Sequence, residues 1–397
     1  MSGTGDGTRS PAGRREDGAR DADTRIFVDA RWTRTDFPDG ISRYTAGLVE
    51  ALHRIHPVTV LVHDPAQLGL LPAEVPHELI NSPFSPRELW LSRTLHGLGV
   101  EVVFSPMQVI GGFRRRYAQV LTLHDLIYYR YPKPPEFLPL PVRVVWWLFH
   151  QAWWPQRVLL NRADLVVTVS ETTKGLIERH RLTRRPVTVV PNAPTASSAA
   201  GAASSGGAER TGEQDGQGER DEQGRSPSAL LYMGSFMPYK NVTTLISAMD
   251  GLPGYRLHLL SRIDPDRLRS LREVVPDGAD VVFWNGVTEE DYRRLLRNAA
   301  ALVTASRDEG FGLPLIEAMN AETPVVCSDI PIFREVTGGH AQFFDPDSVS
   351  GFIAAVRCFE DPETRAGTVE SARAHAAGFT WEESARKLHE SIRRLVS

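Results

Sequence analysis

The chain has almost no cysteine. Cys327 and Cys358 are the two in 397 residues, so neither a disulfide framework nor a cysteine-based metal cluster is expected, and a reducing, cytoplasmic setting is. Cys327 follows Pro324, Val325 and Val326 and reads as a small buried residue at a strand end. No apolar run approaches the ~18 residues that a membrane-crossing helix requires. The stretch 1–23 is rich in Gly, Arg and Asp and has no apolar segment of the signal-peptide kind; it reads as a disordered tail. Basic excess is also missing. The formal net charge is −4, which removes the overall positive field that a nucleic-acid partner would call for. The turn after the first strand lacks G-x-G-x-x-G, which argues against a dinucleotide there.

Hydrophobic residues make up 41% of the chain and charged residues 24%, as in soluble globular proteins. The length allows two domains, each with its own core. Strand-like apolar runs alternate with helical periodicity, the pattern of an α/β protein. In the first half the strands are expected at 24–29, 59–63, 100–105, 119–123, 163–169 and 187–191. A helix at 41–54 carries Ile41, Tyr44, Leu48, Val49 and Leu52 at helical spacing. Residues 196–227 dissolve into Ala, Ser, Gly, Gln, Glu and Arg without periodicity and read as a flexible linker or insertion. The second half opens with a strand at 229–235 and ends in an amphipathic helix at 381–396, with Trp381, Ala385, Leu388, Ile392 and Val396 on one side.

One stretch is unusual in composition. Residues 138–160 hold two tryptophan pairs, Trp146/Trp147 and Trp153/Trp154, flanked by Arg143 and Arg157. Apolar on most sides, the run reads as a core helix packed on the sheet. The other reading is an interfacial element, with Trp and Arg at headgroup level, meeting a lipid-linked acceptor at the inner face of a membrane.

The chemistry centres on 306–331. An apolar strand at 299–303 turns through Gly310 and Gly312 into a helical segment at 313–320, with Glu309 before the turn and Glu317 after it. Glycines between a strand and a helix let the backbone approach a ligand, and the helix start offers free N–H groups to an anion. Asp-Glu-Gly-Phe-Gly-Leu-Pro-Leu-Ile-Glu-Ala at 308–318 resembles the signature of the retaining glycosyltransferases of family 4, which have a GT-B fold of two Rossmann-like domains facing across a cleft. The resemblance implies that Glu309 lies beside the donor sugar and that Glu317 bonds the ribose hydroxyls. The amides of Gly310, Phe311, Gly312 and Leu313 would face sugar and phosphates.

Further segments carry the same resemblance. Gly40-Ile-Ser-Arg43-Tyr resembles the family's first-loop G-I-x-R-Y, which implies that Gly40 lets the loop approach the donor phosphate and places Arg43 on the acceptor side. His124-Asp125-Leu126 stands at the end of a strand, where open α/β sheets hold ligands. By resemblance His124 lies near the donor sugar; Asp125 serves the acceptor, holds the imidazole or caps the next element. Lys240 of Lys-Asn would bind the donor diphosphate, within a strand, glycine and helix unit that includes Gly234, Ser235 and Asn241. The backbone at Val287 would contact the base. Members of the family usually carry an arginine after that glycine or before that lysine, where this chain has Ser235 and Tyr239. Arg262 is the candidate for the missing charge.

The expected domains are a tail at 1–23, a Rossmann-like acceptor domain at 24–195, a linker at 196–227, a Rossmann-like donor domain at 228–380 and a helix at 381–397 crossing back to the first domain. Asp-x-Asp occurs at Asp21/Asp23, Asp264/Asp266 and Asp345/Asp347; the first lies in the tail and the others have proline at the centre and read as turns. No cofactor and no catalytic metal is therefore expected. The activity implied is metal-independent retaining transfer of a hexosyl group, mannose-like, from a nucleoside diphosphate sugar such as GDP-mannose to a glycan, lipid-linked glycan or small molecule. The catalytic set would be Glu309, His124 and Lys240. Two other classes share the pattern: a non-catalytic nucleotide-sugar-binding protein and a double-Rossmann epimerase or phosphorylase.

Overall fold

The computed structural model describes residues 24–35, 39–134, 140–194 and 228–397. The expected tail with Asp21 and Asp23, the start of the Trp-rich stretch at 138–139 and the linker at 196–227 lie outside the described residues. In the first half the elements are β1 (Ile26–Asp29), α1 (Gly40–Ile55), β2 (Val58–Val62), β3 (His77–Leu79), α2 (Leu91–Gly97), β4 (Val102–Ser105), β5 (Ala118–Leu123), α3 (Ile127–Arg130), α4 (Leu140–Phe149), α5 (Trp153–Arg162), β6 (Leu165–Thr168), α6 (Glu171–Arg179) and β7 (Val187–Val189). Every pairing is parallel, in the order β3-β2-β1-β4-β5-β6-β7. β1, β4 and β6 are buried at every position, as strands covered on both faces must be. That is why their sequences run apolar without alternation. β3 was not anticipated. Its three residues at the sheet edge are largely exposed and too few to carry a pattern.

The second half holds β8 (Ser228–Tyr232), α7 (Val242–Ser247), β9 (Tyr255–Leu259), α8 (Pro265–Arg272), β10 (Val281–Phe283), α9 (Glu289–Asn298), β11 (Ala301–Thr304), α10 (Leu313–Asn320), β12 (Val325–Ser328), α11 (Pro331–Thr337), β13 (Gln342–Phe344), α12 (Val349–Arg357), α13 (Pro362–Ala376) and α14 (Trp381–Val396). Its sheet is again parallel, ordered β10-β9-β8-β11-β12-β13. The two parallel sheets flanked by helices are the two-domain GT-B architecture expected from the sequence. In each sheet the winding reverses once, between β1 and β4 and between β8 and β11. Ligands of such sheets bind beyond the strand ends at that reversal, which is bordered by the loops after β1, β4, β8 and β11, with the loop after β5 next to that after β4.

The last helix, α14, lies across α1. Its buried residues Trp381, Ala385, Leu388 and Ile392 follow the amphipathic spacing of the sequence. A Cβ at Gly47 on α1 would stand 2.3 Å from the Trp381 ring, so glycine lets the two helices cross there. Ser384 donates to the Pro191 carbonyl at 2.8 Å, and Ser391 bonds Thr188 at 2.9 Å.

The Trp-rich stretch departs from the expected core helix. It breaks after Phe149, where the His150 ring bonds the Trp146 carbonyl at 2.8 Å and Ala152 turns extended. Nothing on α4 is buried. Asp264 and Asp345 do have turn roles: Asp264 caps α8 by accepting from the amides of Asp266 and Arg267, and Asp345 accepts from the Asp347 amide.

Candidate functional site

β11 delivers its chain end into the cleft between the sheets. Behind it, the Thr304 and Ser306 hydroxyls bond at 3.2 Å, and Ser306 donates to Glu309 Oε1 at 3.0 Å. The same oxygen takes an ion pair from Lys240 Nζ, with both side chains about nine-tenths hidden. Lys240 ends a single turn, Pro238–Lys240, and Asn241 follows in the left-handed region at φ 53°, its side-chain Nδ2 donating to the Pro346 carbonyl at 2.6 Å. That anchor fixes where the lysine leaves the backbone. Tyr239 lies under the ammonium at 5.4 Å from ring centre to Nζ.

The glycines do two different things. Gly312 is left-handed at φ 99° and caps α10; a Cβ there would also meet the Phe333 ring at 2.9 Å. Gly310 has no such backbone requirement. A Cβ on it would stand 3.1 Å from both the His124 carbonyl and Asp125 Cβ, so the absence of a side chain there lets the two domains approach each other closely. Ser170 donates to the Gly310 carbonyl at 3.4 Å, and Arg130 pairs with Asp308 at 3.2 Å. Nearby, the N–H groups of Glu171 and Thr172 at the start of α6 donate to the Glu335 carboxylate of α11, both at 2.7 Å. A carboxylate at a helix N-terminus meets free donors and the positive end of the dipole. The contact spans the two domains and is not visible in local sequence.

Glu317 sits on α10 with Tyr292 donating to Oε2 at 2.8 Å and Arg43 of α1 pairing with Oε1 at 3.3 Å. Burial raises its carboxyl above the usual range, while Arg43 and the Tyr292 bond oppose that rise. Tyr292 is itself pushed well up by burial and by the facing carboxylate, so it stays a donor. Arg43 also reaches Glu289 at 3.4 Å. Tyr292→Phe should remove one fixed donor from Glu317 and weaken nucleotide binding about five- to tenfold, from roughly 1 kcal/mol for one hydrogen bond, with kcat little changed. Calorimetric titration of the variant checks this.

On the opposite wall, His124 Nε2 lies 2.7 Å from the Pro106 carbonyl. A carbonyl only accepts, so Nε2 carries the proton. The ring meets Tyr44 edge-on at 5.1 Å, and burial lowers its pKa and keeps it neutral. Asp125 Oδ1 accepts from the amide of Ile127, the first residue of α3, at 3.0 Å. Burial raises its carboxyl, and Glu309 adds to the rise while Lys240 opposes it. Gly40 opens α1 after the Asp39 cap, and a Cβ on it would meet nothing within 4 Å.

The remaining expected residues fall into place as follows. The Gly234 amide donates to Ser261 at 3.1 Å, and the Ser235 carbonyl accepts from Tyr232 at 2.6 Å. Phe311 is buried against Phe379, and Leu313 starts α10. Val287 packs at the edge of the core just before α9. Arg262 lies along Gly286, whose φ is 107°, with its Cγ 3.0 Å from where a Cβ would be. The structure thus gathers Lys240, Glu309, Gly310, His124 and Asp125 in one place, with Glu317 and Arg43 in a second. Sequence reasoning missed Tyr292, Ser306, Arg130 and Glu335. Tyr292 alone carried a signal, lying one residue after the acidic first turn of α9.

Residues 38–194 match the model described as Glycosyltransferase Family 4, and residues 219–375 the model described as Glycosyl transferases group 1. The chain is 35% identical over 134 residues to the O-antigen chain mannosyltransferase RfbU of Salmonella typhimurium, which covers 33% of this chain and 38% of that protein. It is 32% identical over 165 residues to the O-antigen chain mannosyltransferase B of Escherichia coli, covering 38% and 42%. The match thus spans about two fifths of the length of these two relatives. Among solved structures, sucrose-phosphate synthase from Thermosynechococcus elongatus superposes with a TM-score of 0.67 at 20% identity over 94% of this chain and 99% of that one. Anabaena HepE in complex with UDP-glucose gives 0.65 at 18% identity over 93% and 99%.

Proposed function

Because the chain belongs to glycosyltransferase family 4, we propose that it moves a hexosyl group, mannose-like, from a nucleoside diphosphate sugar to a hydroxyl of a glycan or lipid-linked glycan, with retention at the anomeric carbon. The observation that carries this reading is the mostly hidden Lys240–Glu309 pair where Gly310 meets His124 and Asp125. A diphosphate entering the cleft would take Lys240 from Glu309, leaving the carboxylate to face the sugar. The acceptor oxygen then attacks the anomeric carbon from the face the diphosphate leaves. The carbon–phosphate oxygen bond breaks, the new glycosidic bond forms, and the acceptor proton passes to the departing phosphate oxygen. Lys240 and the free amides at the start of α10 stabilise the charge that builds there, so that the chain itself supplies the cations and no metal is required. Glu309 stabilises positive charge on the sugar ring. The mannosyltransferase names of the relatives support mannose as the sugar, and GDP-mannose is the donor we propose.

The test is the thermal midpoint of the protein in EDTA with GDP, UDP, dTDP and ADP in turn. A nucleotide at about 100 times its Kd adds ~2.7 kcal/mol, a shift of a few degrees. GDP should give the largest shift, and Glu317→Ala should abolish it. A larger shift with UDP would overturn the base assignment, and no shift with any nucleotide or sugar nucleotide would overturn the donor reading.

A further inference from the structure

Helices α4 and α5 turn their apolar side chains outward. On α4, Leu140, Val144, Trp147 and Leu148 are 73%, 57%, 45% and 56% exposed. Their spacing of four, seven and eight residues makes one stripe. The opposite side carries Trp146 and His150, which meet Tyr128 at 4.6 and 5.8 Å between ring centres. Val142 and Val145, off that stripe, are also 46% and 66% exposed, so the helix is apolar on most sides and lies mostly in solvent, the reverse of a core-packed helix, and such exposed apolar surfaces mark interaction sites. On α5, Trp154 and Val158 are exposed one turn apart, with exposed Arg157 beside them on the same face.

Basic charge lies next to this apolar surface. Trp153 stacks on Tyr129 at 3.9 Å and on His180 at 4.2 Å, which holds α5 against the chain after α6. There a groove of ≈ 750 Å³ is lined by Arg157, Arg181, Arg184, Asn161, Thr183 and Glu178. Residues 140–185 contain 8 Lys and Arg against 3 Asp and Glu, a net +5, although the whole chain carries −4.

We propose that this face docks on an anionic lipid bilayer, with the α4 stripe and Trp154 in the acyl boundary and the arginine groove at the phosphate headgroups. Outward Trp and aliphatic residues level with arginines suit an interface where one side of a helix is apolar and the layer beside it is negative. α3 supports α4 and α5 from beneath and begins two residues after Asp125, so the docked surface adjoins the first-domain wall of the cleft. The inference does not depend on which donor is used.

The experiment is co-sedimentation of the full chain with phosphatidylcholine vesicles and with vesicles one-third phosphatidylglycerol. Partition onto the anionic vesicles should exceed that onto the neutral ones by about tenfold or more and fall with salt. Val144→Glu with Leu148→Glu should reduce it at least ~tenfold, with far-UV circular dichroism and the nucleotide-induced thermal shift unchanged. Arg181→Gln with Arg184→Gln should flatten the salt dependence while leaving part of the binding. Equal sedimentation of the glutamate variant and the parent would overturn the proposal, as would failure of the parent to bind either vesicle. A dimer in light scattering that the glutamate pair dissolves, without vesicle binding, would assign the face to a second copy and overturn it too.

Discussion

Glu309→Gln should lower kcat about a thousandfold while leaving nucleoside diphosphate affinity within a few-fold of the parent, or slightly tighter. A carboxylate about 4 Å from developing positive charge, at an effective dielectric near 20, is worth ~4 kcal/mol, and each 1.36 kcal/mol is about a factor of ten in rate. Glutamine keeps the volume and still accepts from Ser306 and Lys240, which contact Glu309 Oε1 in the parent, so the fold should survive. What disappears is the negative charge. The same charge holds Lys240 in the absence of donor, and its removal releases the ammonium for phosphate. Ground-state binding and transition-state stabilisation are thereby expected to separate. Steady-state kinetics with isothermal titration of the diphosphate measures both. Equal losses in kcat and affinity would mean that Glu309 serves binding alone, and the role assigned to it would fail.

The strands were legible because parallel strands buried on both faces leave apolar runs such as Val102-Val-Phe and Ala301-Leu-Val, bounded by turn residues. The turn at Gly310 and Gly312 was legible because its chemistry is local. Gly312 needs a left-handed backbone to start α10, and any sequence that makes that turn must declare it. The reason for Gly310 was hidden, since its neighbours are His124 and Asp125, far away in the chain. Arg43 was hidden in the same way: a helix charge at position 43 gives no sign that it will meet Glu317 and Glu289 across the cleft. The Trp-rich stretch fails for another reason. An apolar helix looks alike in sequence whether a neighbour covers it or not, and coverage depends on tertiary packing. Its exposed side follows from how few inward residues, Trp146 and His150 among them, find aromatic partners on α3.

Lys240→Ala should cost both stability and diphosphate affinity, and the two losses should respond differently to a second substitution. Removing the lysine leaves Glu309 mostly hidden and without its cation. Breaking such a pair costs up to ~3–5 kcal/mol when fully buried, and the partial exposure of both groups places the expected loss at the lower end, near 2 kcal/mol. Adding Glu309→Gln removes the stranded charge and should restore most of the thermal midpoint. Diphosphate affinity should not return. A charge-assisted contact to phosphate is worth about 2–3 kcal/mol, so the Kd should rise roughly 30- to 150-fold in both the single and the double variant. Nucleoside monophosphate, which lacks the second phosphate, should lose less. The cycle therefore distinguishes a lysine that binds donor from one that only neutralises Glu309. If the double variant regained diphosphate affinity along with its midpoint, Lys240 would be a structural partner of Glu309, and stabilisation of the leaving group would fall to the amides of α10.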